Sequence, residues 1–307
     1  METGRQKGGK KPLYLSINAK ERAARIGQLS EIMAACTFCP RKCRVNRRLG
    51  ERGKCGAASD LLISSAGPHF GEERELVGSE GSGTIFFINC NLECVFCQNW
   101  TISRAYDQGM NITTGQLARL MLDLQRRGCS NINLVTPTPY LYHIISAIDE
   151  AIYLGLTLPI VYNCGGYESE ESLKLLEGFI DIYMPDAKYG SDKAGEKYSG
   201  VSDYYTRLRG ALLEMQRQVG DLKIDESGLA YRGLLVRHLV MPDRIAGSAE
   251  IARMLNEDIS PNCAVNIMNQ YHPAYQADHF PQLNRRITAS EYEEARQFFT
   301  ARQLKVL

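Results

Sequence analysis

The chain has 307 residues, 44% of them apolar, and a formal net charge of +1. That length allows one large domain or two ordinary ones. The near-neutral charge gives no electrostatic case for nucleic acid as a partner, and no run approaches the ~20 apolar residues that span a bilayer.

Residues 1–30 read as a basic tail. Arg5, Lys7, Lys10, Lys11, Lys20, Arg22 and Arg25 face only Glu2 and Glu21 there. Such a segment is expected to be solvated and flexible, or to dock an acidic partner. It lacks the apolar core of a signal peptide, so the expectation is a cytoplasmic protein without a membrane partner. Residues 31–60 are short of apolar periodicity and rich in Cys, Arg and Gly. They predict a small metal-stapled module, too poor in core to fold alone. Residues 61–307 form the main domain.

From residue 84 the pattern changes. The run 84–89 (TIFFIN) predicts a buried strand, followed by further strands at 131–135, 158–163, 180–184, 233–241 and 264–269. Helices are predicted at 113–127, 140–154, 169–177, 201–219, 248–257 and 290–302. Ser290 and Glu293 make a capping-box pattern for the last of these. The turn-rich stretch within 203–232 is a candidate substrate lid. Strands alternating with helices imply a parallel sheet with right-handed crossovers. Six strands are too few for a closed eight-stranded barrel, so a partial, open (β/α)6 barrel is expected. Ligands gather at the C-terminal strand ends of such sheets.

In a reducing compartment, clustered thiols at short spacing read as ligands rather than disulfides. The first strand stops at Cys90-Asn-Leu-Glu-Cys94-Val-Phe-Cys97. Thiolates suit iron–sulfur clusters and zinc. Three of them leave one iron of a [4Fe–4S] cluster free for a small molecule. Joined by a fourth cysteine from elsewhere, they make a closed zinc site. The three-then-two spacing, with the aromatic Phe96 before the last cysteine, resembles the signature of the radical S-adenosylmethionine (SAM) superfamily. The resemblance implies that Cys90, Cys94 and Cys97 hold a [4Fe–4S] cluster whose open iron binds SAM. An electron from that cluster would cleave the S–C5′ bond, and the 5′-deoxyadenosyl radical would take a hydrogen from substrate. Phe96 would shield the cluster and border the adenine.

The other strand ends supply candidate SAM contacts. The second carries Thr136-Pro-Thr138-Pro, where most of the family has Gly-Gly-Glu; Thr136 and Thr138 offer acceptors in its place. The third ends at Asn163-Cys164-Gly165-Gly166, similar to the family's Asn-Gly strand end. The fourth carries Asp186-Ala-Lys188, which resembles the equivalent run in glycyl-radical-enzyme activases. The fifth carries Arg237-His238, which resembles the Arg–His strand of the same activases. A buried Arg is expensive unless paired, so Arg237 reads as a ligand contact and His238, on the opposite face, as structural. His272, after the sixth strand, is a candidate adenosine contact.

A second constellation is Cys36-x2-Cys39-Pro-x2-Cys43-x11-Cys55. Its four thiols suit either zinc or an auxiliary cluster. Its flanks resemble the N-terminal segment of a group related to pyruvate formate-lyase activase. As a cluster it could relay electrons, with Arg41, Lys42, Arg44, Arg47 and Arg48 as a dock for an acidic donor such as flavodoxin or ferredoxin. Cys129 and Cys263 read as core residues, and Cys164 as core or cavity-facing. The functional expectation is a radical SAM oxidoreductase, with a glycyl-radical-enzyme activase acting on a protein substrate as one version. The alternative is a non-catalytic Fe–S or zinc scaffold.

Overall fold

The computed structural model describes residues 11–104 and 108–307. Ala19–Ile32 forms α1, capped by the Asn18 side chain, which accepts from the Glu21 N–H at 2.9 Å. The chain winds through the four-cysteine segment into β1 (Leu61–His69). Past the single turn α2 (Arg74–Val77), it returns antiparallel as β2 (Ser82–Phe87). The short α3 (Trp100–Ser103) and the edge strand β3 (Met110–Ile112) lead into the alternation. It begins with α4 (Thr114–Arg126), β4 (Ile132–Val135), α5 (Leu141–Tyr153), β5 (Ile160–Cys164), α6 (Glu170–Leu175) and β6 (Ile182–Pro185). It continues as α7 (Asp192–Ser199), α8 (Tyr204–Val219), β7 (Lys223–Ile224), β8 (Ala230–Leu239), α9 (Ser248–Met254), β9 (Ala264–Met268), α10 (Ala289–Thr300) and β10 (Lys305–Val306).

The strands lie in the order β10-β9-β8-β6-β5-β4-β2-β1-β3, with β7 beside β8. Along that order pairing is parallel from β2 to β10 and antiparallel at β1 and β3, and β7 pairs antiparallel with β8. The sheet does not close, so the architecture is the open partial (β/α)6 barrel expected from the sequence. Among the described residues no helix is long and apolar enough to cross a membrane.

Register sorts the strands into two faces, because side chains alternate along each strand. Thr84, Asn133, Val161 and Ile182 stand in one row, and Phe86, Val135, Asn163 and Met184 in the row above. Val161, Ile182, Met184 and Leu235 share a small buried cluster with Leu76 and Ala264 inside the curve of the sheet. The alternate residues Ile85, Leu134, Tyr162, Tyr183 and Val236 join the main core against the helices. Each such side chain, fully buried, contributes about 1.5–3 kcal/mol.

Three sequence expectations are corrected here. The basic stretch is no free tail within the described residues. Arg22 is buried against Asp149 at 2.5 Å, and Arg25 donates to the Glu177 carbonyl. Arg5, Lys7 and Lys10 lie outside the described residues. The last helix takes its capping box from Thr288 and Glu291, not Ser290 and Glu293. The stretch 203–232 is no lid: α8 is packed into the core, and β7 forms a hairpin with β8.

Candidate active site

The loop after β2 is tied down at both sides. The Glu93 and Val95 N–H groups donate to Ser199 and Tyr198 carbonyls at the end of α7, at 3.1 and 2.9 Å. Gln276 N–H donates to the Val95 carbonyl at 2.8 Å. This fixes Cys90, Cys94 and Cys97 at the C-terminal end of the barrel strands. Each of the three sulfurs has a polar partner: the Leu92 N–H donates to Cys90 Sγ at 3.5 Å, the Ser199 hydroxyl donates to Cys94 Sγ at 3.0 Å, and the Ser103 hydroxyl lies 3.3 Å from Cys97 Sγ, where either atom can donate. Burial pushes the Cys90 thiol up to about 12, and its neighbour Cys94 adds to this. Burial raises Cys94 too, against the nearby Lys188 and Arg104 cations. All of the cysteines are free.

Among the described residues, no three His, Cys, Asp or Glu side chains converge as ligands of a single metal ion would. A four-iron cluster sets its thiolates at separate corners of a cube and has no need of such convergence. Three hydrogen-bonded sulfurs beside the Lys188 and Arg104 cations suit thiolate ligation of such a cluster.

Lys188 and Asp186 leave the end of β6 as an ion pair, 2.5 Å from Nζ to Oδ2. Burial works against the Lys188 charge, and Asp186 and Cys94 more than restore it. Gly165 and Gly166 make room for this strand end: a Cβ on Gly166, whose φ is +77°, would stand 2.4 Å from the Asp186 carbonyl oxygen. Asn163 sits on the inner face, its carbonyl accepting from the Thr136 N–H at 2.9 Å. Thr136 itself has a left-handed φ of 60°. Phe96 is buried, edge-on to Tyr189 and tilted against Tyr271. His272 lies at the rim, its Nδ1 3.3 Å from the Gln98 amide.

Other candidates are held elsewhere. Thr138 is buried and donates to Glu168 at 2.9 Å, which engages its hydroxyl away from the inner face. Arg237 faces inward, but Glu72 and Glu73 already hold it, with Nε 2.6 Å from Glu73 Oε1. Burial pushes the Glu73 carboxyl up, and the Arg237 hydrogen bonds and charge outweigh it, leaving Glu73 below the ordinary range. The counterion that Arg237 needed thus comes from within the chain. His238 is structural, its ring nitrogens 2.7 Å from the Ala187 carbonyl and 2.9 Å from the Ser248 hydroxyl. Cys164 turns to the outer face, where its thiol meets Glu168. Arg47 is buried and cannot serve a docking surface, and Arg41 is engaged with Asn91 and Glu93.

Sequence reasoning missed Glu168. It is 2% exposed, accepts from Thr138 and from the Tyr162 hydroxyl at 3.0 Å, and burial pushes its carboxyl up to about 7. It stands among the acids Glu168, Glu170 and Glu171, which in sequence look like a helix start. The pair Glu72 and Glu73 was missed as well, although a buried arginine is itself a signal for such a partner.

The model of the Radical SAM superfamily matches residues 84–218. An uncharacterised protein from Methanocaldococcus jannaschii is 35% identical over 274 residues, covering 86% of this chain and 74% of that one. The chain carries a radical SAM superfamily domain. Members of that superfamily are enzymes, and the domain implies a [4Fe–4S] cluster and SAM. Among solved structures, this radical SAM protein is similar to a radical SAM methyltransferase from Sphaerobacter thermophilus (17% identity, TM-score 0.48, 74% of this chain and 65% of that chain). It is also similar to the FeFe-hydrogenase maturase HydG from Carboxydothermus hydrogenoformans (13% identity, TM-score 0.47, 69% and 49%). The chain thus spans less than two thirds of the length of either solved protein.

Proposed function

We propose that this radical SAM protein is an oxidoreductase that abstracts a hydrogen atom from a substrate held at the barrel mouth. One observation carries the reading. Three thiols, each hydrogen-bonded at its sulfur, share a strand-end surface with the Asp186–Lys188 pair. When bound, the cluster would supply one electron for reductive cleavage of the SAM S–C5′ bond, with methionine as the leaving group and the 5′-deoxyadenosyl group as the hydrogen acceptor. Cys90, Cys94 and Cys97 would be its ligands. Lys188, steadied by Asp186, offers an ammonium to the SAM carboxylate. Asn163 and Thr136 offer an amide and a hydroxyl nearby, Phe96 walls the site, and His272 stands at its rim.

The activase version, in which the hydrogen comes from a backbone glycine of a partner protein, is supported by the Asp186-x-Lys188 and Arg237-His238 resemblances. An exposed aromatic stack of Trp100 on Tyr275, at 5.7 Å, flanks the cluster loop and suits a protein substrate. A small acidic electron carrier, flavodoxin or ferredoxin, is the proposed donor. Exposed Lys42, Arg44 and Arg48 are its proposed dock. Ten unpaired thiols suit the reducing cytoplasm.

The test is anaerobic. Protein reconstituted with iron and sulfide is given dithionite and SAM, and 5′-deoxyadenosine is measured. Wild type forms it and Cys94→Ala does not. Wild type that binds a cluster yet leaves SAM intact, as a scaffold would, overturns the reading. Deuterium transfer from labelled candidate substrates then identifies the hydrogen source.

A further inference from the structure

Ser199, the last residue of α7, faces the cluster loop across two backbone hydrogen bonds. Its carbonyl accepts from the Glu93 N–H at 3.1 Å, and the Tyr198 carbonyl accepts from the Val95 N–H at 2.9 Å. These bonds straddle Cys94 and hold the Ser199 hydroxyl 3.0 Å from its Sγ. The contact is closer than the 3.3 Å at Cys97 and the 3.5 Å at Cys90. Gly200 then turns the chain away at a φ of +65°.

The Ser199 hydroxyl has a second neighbour, for Tyr189 Oη lies 2.7 Å from it. Tyr189 follows Lys188 on the run that leaves β6, and that run is pinned on both sides. The Lys188 N–H donates to the Tyr204 hydroxyl at 3.0 Å, and the Gly190 N–H to the Ala246 carbonyl at 2.9 Å. The Tyr189 ring is edge-on to Phe96 and to Tyr204, with centroids 6.2 and 5.2 Å away. Ser199 and Tyr189 are 0% exposed and Cys94 is 8% exposed, so these contacts are shielded from water.

Thiolate ligation fixes the direction of the protons. A cysteine bound to iron is deprotonated and has no proton to give. A serine hydroxyl has one. With that proton directed at Cys94, the Ser199 oxygen is left to accept, and the phenol, protonated at neutral pH, donates to it. The order runs from Tyr189 to Ser199 to Cys94, and each bond polarises the next.

We propose that Ser199 and Tyr189 are positioning residues of the radical chemistry, a hydrogen-bond relay that raises the reduction potential of the cluster through Cys94. The proposal rests on the reading of Cys90, Cys94 and Cys97 as cluster ligands. Reduction brings in one electron from an external donor, and part of its charge falls on the thiolates. A donor at sulfur stabilises that added charge, so the potential rises. No proton crosses, since Tyr189 and Ser199 keep theirs in both states. Because Tyr189 adjoins Lys188, one pinned run serves both the proposed SAM contact and a cluster ligand.

The deciding measurement is an EPR-monitored potentiometric titration of the reconstituted full chain without SAM. Ser199→Ala should shift the reduction equilibrium about tenfold toward the oxidised cluster, about 59 mV for one electron, with iron and sulfide content unchanged. Tyr189→Phe should shift it about threefold the same way. Tyr189 acts only through Ser199, so the double variant should match Ser199→Ala alone. Tyr198→Phe strips a hydroxyl from the ring stacked on Tyr189 at 6.4 Å and should leave the potential in place. A Tyr198→Phe shift as large as that of Tyr189→Phe overturns the proposal, for then packing carries the effect. A full cluster whose potential ignores Ser199→Ala, or single shifts that add in the double variant, overturns the relay and leaves the ligand reading standing. Should Ser199→Ala lose the cluster, Tyr189→Phe decides alone, since an unmoved potential overturns the proposal. Wild type that holds no iron after reconstitution overturns the ligand reading and the relay with it.

Discussion

Glu168→Gln changes one atom in a sealed pocket, and its effect on stability can be worked out from the structure. The carboxyl accepts from the Thr138 and Tyr162 hydroxyls, contacts with hydroxyl partners that an amide can largely keep. Burial lifts its pKa from 4.5 to about 7. Below pH 4.5 the group is protonated in both folded and unfolded chains and contributes no slope. Between pH 4.5 and 7 the unfolded chain gives up the proton while the folded chain keeps it, so stability falls as pH rises. At about 1.4 kcal/mol per decade, the loss by pH 7.5 is about 3 kcal/mol. Glutamine has no proton to lose. Two buried histidines slope the other way. Burial lowers His143 and His238 to about 4, so each makes the fold more stable as pH rises from 4 to 6.5. The wild-type curve alone therefore hides the effect, and the difference between variant and wild type is the quantity to plot. Urea unfolding of the metal-free chain, followed by fluorescence from pH 4.5 to 8, should show the variant gaining about 3 kcal/mol on wild type across that range. Parallel curves would mean that Glu168 is already ionised in the folded protein, and the burial argument would fail.

Arg237→Ala strands Glu72 and Glu73, whose side chains are 6% and 3% exposed. It should cost about 3–5 kcal/mol, read as a fall in Tm. Gly166→Ala drives a methyl against the Asp186 carbonyl at a positive φ. It should destabilise by more than about 1 kcal/mol and weaken SAM binding as the β6 end shifts. Calorimetry and equilibrium dialysis would show both. Lys188→Met should raise the Kd for SAM about tenfold, roughly 1.4 kcal/mol, with the reconstituted iron content unchanged. An unaltered Kd removes Lys188 from the cofactor site.

The parallel strands were legible because strands buried on both faces read as nearly continuous apolar runs, as TIFFIN does. The antiparallel β1 was not, since its segment LLISSAGPH breaks its apolar run with Ser-Ser and Gly-Pro. Helix α1 was hidden by its charges, for Arg22 and Arg25 look solvent-bound until Asp149 and the Glu177 carbonyl are brought to them. The last helix offers two overlapping capping frames, Thr288 with Glu291 and Ser290 with Glu293. Glu291 wins because it also accepts from the Asp243 N–H and from Arg285, contacts made only by the folded chain. The cysteine motifs were legible as spacing alone. The partners of Arg237 and the burial of Arg47 and Glu168 were not, because each depends on contacts far apart in sequence.

Helix α1 begins at the floor of the barrel. Just before it, the Leu13 N–H donates to Asp181 at 2.8 Å and the Tyr14 hydroxyl to the Leu158 carbonyl at 2.8 Å. At its far end, the Met33 carbonyl accepts from the Arg47 N–H, level with Pro139 above β4. Its 14 residues cover about 21 Å, so it works as a strut between foundation and roof. Loosening the anchorage at Leu13 and Tyr14 should therefore slacken the cysteine-bearing roof a full molecular layer away, with no thiol touched.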